Sequence, residues 1–156
     1  MNLSMQSVLF TLVSIIGFRE SPIKEKARTK CSINIWDYNY SMAYTMYYNV
    51  TRDSIIVIRL SGIHNEKDSL LMKRALRDNE KKSFNQCIFS LNLDHLKNSY
   101  KNPYVDDGDR KRIIIQCDNK PQKTIEISNV YQKKFAILFN CVNNLIPAEL
   151  KINYSH

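Results

Sequence analysis

The chain has 156 residues, 44% hydrophobic and 24% charged, with 23 basic against 15 acidic side chains and a net charge of +8. That length and composition describe one globular domain and exclude a disordered chain, while three glycines and four prolines exclude a collagen-like or linker-rich one. So few glycines also leave no Gly-rich phosphate cradle, and no GxSxG, HExxH, P-loop or GxGxxG occurs.

Residues 1–18 carry no charged side chain, and residues 8–18 read VLFTLVSIIGF. Eleven apolar-rich residues are too few for a bilayer, which needs about 20, and suit the core of a signal peptide. No Lys or Arg precedes the run and no small-x-small cleavage site follows it, so a buried N-terminal helix or strand is the competing reading. Residues 1–20 are therefore expected to be a signal peptide. Residues 21–30 are expected to be a polar, basic tether, and residues 31–156 a single domain. Cys31, Cys87, Cys117 and Cys141 are spaced too widely for a CxxC metal or redox motif. An even count admits two disulfides in an exported chain and buried free thiols in a cytoplasmic one.

From Trp36, the even positions run Trp36, Tyr38, Tyr40, Met42, Tyr44, Met46, Tyr48, Val50, a period of two that argues β-structure. Fifteen residues is long for one strand, so a turn at 37–40 joining strands 31–36 and 42–50 is preferred. Thr51-Arg52-Asp53 is a turn, and residues 54–60, SIIVIRL, form a β-branched strand. Residues 70–76 are read as a third strand. Asp78 is expected to cap a helix over about 79–91, whose face is Phe84, Cys87, Ile88 and Leu91. Residues 93–100 read as a connector. Residues 111–117 and 122–128 make a hairpin about Asp118-Asn119-Lys120-Pro121. Phe135, Leu138, Phe139, Val142 and Leu145 mark a final helix before Pro147. The expected fold class is α+β: an antiparallel sheet of about five strands with two helices on one face, in the order β-β-β-α-β-β-α.

Asp106-Asp107-Gly108-Asp109 is the densest carboxylate group, but it lacks EF-hand spacing and Arg110-Lys111-Arg112 follows at once. A solvated loop is expected, with no metal and no cofactor. His64, His95 and His156 have no patterned partners, and no catalytic residue is assigned. The stripe Trp36, Tyr38, Tyr40, Tyr44, Tyr48 is expected to pack beneath the helices, leaving Tyr47 on the opposite face. Tyr, Trp and Arg are the residues that anchor protein interfaces. Tyr47, Arg52, Arg59 and Arg112 are therefore the expected binding residues, with Tyr47 and Arg59 taken to lie on the side away from the stripe.

Tyr47-Tyr48-x-x-x-Arg52-Asp53-Ser54, Leu91-x-Leu93-Asp94-x-Leu96, Asp106-Asp107-Gly108 and Ile127-Ser128-Asn129 occur in that order. Over residues 31–154 this order resembles small uncharacterised envelope proteins of Bacteroidota-type bacteria. The resemblance implies no catalytic residues. By analogy of size and layout it points to immunity proteins paired with secreted toxins. The expected function is thus a non-enzymatic protein-binding domain of the cell envelope, periplasmic or secreted, that blocks an acidic toxin. The alternatives are a cytoplasmic location and a nucleic-acid or polysaccharide binder using the Tyr-rich strand and scattered bases.

Overall fold

The computed structural model describes residues 30–38 and 43–154. The apolar run 8–18, nearly all of the basic tether and Tyr40 lie outside the described residues. Among the described residues, seven strands and two helices follow one another as β1 (Cys31–Tyr38), β2 (Tyr44–Val50), β3 (Ser54–Ser61), β4 (Ser69–Ala75), α1 (Asp78–Ser90), β5 (Ser99–Lys101), β6 (Arg110–Cys117), β7 (Lys123–Ser128) and α2 (Lys133–Asn143). Short 3-10 turns occupy Leu93–His95 and Ala148–Leu150.

The α+β class holds, with two corrections to the expected sheet. It has seven strands, in the order β4-β3-β2-β1-β6-β7-β5, and it is mixed: β5 runs parallel to β7 while every other neighbouring pair is antiparallel. β1 runs on through Asp37 and Tyr38, which were expected in the turn, because the ladders to β2 and β6 extend that far, and β2 begins at Tyr44, so the long alternating stretch is two strands. β5 takes the last two residues of the expected connector and the one after them. Ser99-Tyr100-Lys101 is too short to show a period, and it becomes a strand through the edge that β7 offers it. β1 through β4 form a meander, after which α1 carries the chain to the far edge and the β6–β7 hairpin fills the gap beside β1.

One face of the sheet is the core. Cys31, Ile33 and Ile35 of β1, Tyr48 and Val50 of β2, Ile55 and Val57 of β3, Ile113 and Ile115 of β6, and Ile125 and Ile127 of β7 are buried there. Phe84, Cys87 and Ile88 of α1 and Phe135, Leu138, Phe139 and Val142 of α2 pack onto them in one cluster. Each such side chain contributes about 1.5–3 kcal/mol when fully buried. The helical faces match the spacing of the sequence, except that α1 ends at Ser90 and its cap is Arg77 rather than Asp78. Glu80 explains the shift, because its carboxylate accepts the Arg77 backbone N–H at 2.8 Å and closes the first turn from inside.

Both cysteine pairs are joined. Cys31 and Cys117 sit directly opposite in the β1–β6 ladder, and Cys87–Cys141 ties α1 to α2. Among the described residues, no helix is long and apolar enough to cross a membrane.

Candidate functional site

Residues that lie opposite one another in a ladder share a face, so register decides which side chains meet. Tyr47 lies opposite Ile58 of β3 and opposite Trp36 of β1; Trp36 lies opposite Arg112 of β6; Arg112 lies opposite Glu126 of β7. These residues form a row across five strands on the face that α1 and α2 do not cover. The Trp36 and Tyr47 rings pack at 4.9 Å with a tilt of 48°. The Tyr47 hydroxyl donates to Asn34 Oδ1 at 2.7 Å, and Asn49 Nδ2 donates to the same oxygen at 2.6 Å. Burial pushes the Tyr47 phenol above its ordinary value. Arg112 Nε meets Glu126 Oε1 at 3.0 Å, with both side chains about half exposed. Ile56, Leu60 and Ile114 flank the row, each partly buried.

Of the four expected binding residues, Tyr47 and Arg112 are brought together with Trp36 between them. Arg52 stands in the β2–β3 turn at one end of the sheet. Arg59 is on the other face: it lies opposite Met46, which packs against the core, and it is exposed. The expected aromatic stripe is likewise divided. Tyr48 is buried and Tyr44 shares its face, whereas Trp36 and Tyr38 are on the open face with Tyr47. Register is the cause, since even-numbered residues of β1 lie opposite odd-numbered residues of β2. The placement of Trp36 therefore depended on how two strands pair, which alternation within one strand does not report.

The open face is basic. Lys73 of β4, Lys101 of β5, and Arg110 and Arg112 of β6 belong to it, against Glu126 of β7. Two further ionic groups sit on the helix side. Lys111 is 1% exposed, and its Nζ donates to Asp37 Oδ1 at 2.8 Å and to Asp109 Oδ1, beneath the rings of Phe139 and Tyr154. Burial raises the Asp37 carboxyl above its ordinary 3.8, and the ammonium of Lys111 opposes the rise. The Tyr154 hydroxyl takes the Gln132 N–H and donates to the Val130 carbonyl, so this cluster fastens the C-terminal segment to the sheet. The acidic loop thus supplies Asp109 to a buried lysine. No group of three or more His, Cys, Asp or Glu among the described residues is placed to hold a metal.

At the other end, Glu80 receives Arg74 Nη1 and Nη2 at 2.9 Å each and Arg77 Nη2 at 3.0 Å. The Arg74 guanidinium, then Arg77, holds the Glu80 carboxyl well below the carboxylate range. Arg74 also donates to the Leu145 carbonyl at 2.7 Å, which links β4, α1 and the end of α2. Sequence spacing missed both clusters, because their members lie on different elements. The one available signal was the run of bases directly after the acidic loop. The chain matches no protein-family model and no curated protein.

Proposed function

We propose that the chain is a non-enzymatic protein-binding domain of the cell envelope, which holds an acidic partner against the uncovered face of its sheet. The observation that carries this reading is the row Ile58–Tyr47–Trp36–Arg112, in which an aromatic pair is set between aliphatic side chains and an arginine. Interfaces concentrate their binding energy in such Trp, Tyr and Arg anchors, ringed by apolar contacts that exclude water. The basic excess of that face complements an acidic surface and speeds encounter. Two paired disulfides are compatible with an oxidising compartment and so with a periplasmic or secreted protein. An immunity-type protein that occludes a toxin is the sharper form of the proposal, supported by the resemblance of residues 31–154 to small envelope proteins.

The test is affinity capture from envelope extract of the cells that make the protein, with the wild-type chain beside Arg112→Glu and Trp36→Ala. An acidic protein should be retained by the wild type and released by salt, and Arg112→Glu should weaken its retention about tenfold while lowering the melting temperature by no more than a few degrees, through the like charge it sets against Glu126. Retention of nucleic acid or polysaccharide, lost in Trp36→Ala, would replace the protein partner with the second reading. Equal retention by all three chains would remove the open face from the function.

A further inference from the structure

A second surface is built differently. β4 ends the sheet, with a described strand on one side only, and it is seven residues long. The opposite edge, β5, has three residues, and Pro103 follows it shortly, two devices that blunt an edge. β4 has neither. The Leu76 N–H donates to the Asp53 carbonyl at 2.9 Å. The antiparallel ladder alternates from that bond, so the backbone of Arg74 turns toward β3 and the backbone of Lys73 turns outward. Leu70 is 61% exposed and Leu71, beside the irregularity in the β3–β4 register, is 40% exposed.

The charge of this edge selects among occupants. Ser69–Ala75 contains Lys73 and Arg74 and no acid, and Arg77 follows. Of the nearby acids, Asp68 precedes the strand and accepts the Ser61 N–H at 3.0 Å, and Glu80 is shared between Arg74 and Arg77, whereas Lys73 extends exposed on the open-face side, opposite Ile56. A second copy of the chain would bring the same bases to the seam and no carboxylate within the strand, its flanking Asp68 being held by Ser61, and an edge lysine is a known deterrent to self-pairing. A strand bearing carboxylates alternating with apolar residues meets Lys73 with charge and Leu70 with apolar surface. We infer that the edge of β4 accepts an extended acidic segment of a partner protein as an eighth strand, through main-chain hydrogen bonds at Lys73 and side-chain selection by Lys73 and Leu70.

The inference stands apart from the open-face reading, because its hydrogen bonds lie at the edge of the sheet. The probe is a synthetic decapeptide of alternating Glu and Val, with an alternating Lys and Val decapeptide as its control, added to the full chain at low salt. The Glu-Val peptide should slow amide hydrogen exchange at Lys73 and bind about fivefold more tightly than the control. Lys73→Glu should reverse that preference and leave the melting temperature unchanged. Absence of binding, equal binding of the two peptides, or protection confined to Trp36 and Tyr47 would overturn the inference. Protection of β4 that grows with protein concentration in the absence of peptide would also overturn it, by identifying a second copy as the occupant.

Discussion

Tyr47 and Tyr48 are neighbours in β2, yet they live in different environments. Tyr48 is 1% exposed beneath the helices, and its hydroxyl donates to the Leu150 carbonyl at 3.0 Å, where burial drives its phenol far above the ordinary range. Tyr47 leans on Trp36 on the uncovered face, with its hydroxyl on Asn34. Both faces carry aromatic and β-branched side chains, so hydrophobicity alone does not distinguish them. The covered face is the one onto which Phe84, Ile88, Phe135 and Phe139 descend. The open face keeps its aromatic pair partly exposed, beside arginine. Among the described residues no helix covers that pair, which leaves it to a partner.

The comparison breaks most visibly at Tyr48. Tyr48→Ala should cost about 3–5 kcal/mol in urea unfolding, as other large core truncations do. Tyr48→Phe should cost about 1 kcal/mol for the lost hydrogen bond to Leu150. A small effect of Tyr48→Ala would mean that the helices do not seal that face.

Glu80 comes next, and pH sharpens its role. Its folded carboxyl lies below the ordinary 4.5, held there first by Arg74. Its contribution is therefore present above 4.5 and is lost as pH falls from there toward the folded value. Asp37 works in the opposite sense: its folded carboxyl lies above 3.8, so its contribution declines as pH rises from 3.8 through that value. Glu80→Gln should cost about 2–3 kcal/mol at neutral pH, the value of a charge-assisted bond. The variant should also lose less stability than the wild type on acidification below 4.5, measured by denaturant midpoints across pH.

Tyr47→Ala should cost less stability than Tyr48→Ala or Glu80→Gln. It removes one aromatic pair and one hydrogen bond, and should cost about 1–2 kcal/mol by thermal melting. Partner capture should fall with it. A loss near that of Tyr48→Ala would turn the open face into a second core and withdraw Tyr47, Trp36 and Arg112 from the binding surface.

Much of the architecture was legible because it is local. The spacing of Phe84, Cys87 and Ile88 and of Phe135, Leu138, Phe139 and Val142 is set by the helical repeat, and the helices bury those residues. The β6–β7 hairpin follows from the turn residues between its strands. Arg112 and Tyr47 were singled out because arginine and tyrosine stand out among β-branched neighbours, and the ladders set both on the open face. Arg59 was misplaced and Trp36 was assigned to the wrong face, because a face is shared between strands and only register relates them. β5 escaped because its partner strand lies more than twenty residues away.

Local periodicity and turn chemistry thus determined, from the sequence alone, an α+β domain with two amphipathic helices and hairpin-joined strands. The tertiary structure decided what requires distant residues to meet. It opposed Cys31 to Cys117, placed Lys111 between Asp37 and Asp109, and joined Arg74 to Glu80. It also set Trp36 against Tyr47 and Arg112. Each of these depends on a ladder register or a helix docking angle, and the chain settles those quantities only when the whole core closes.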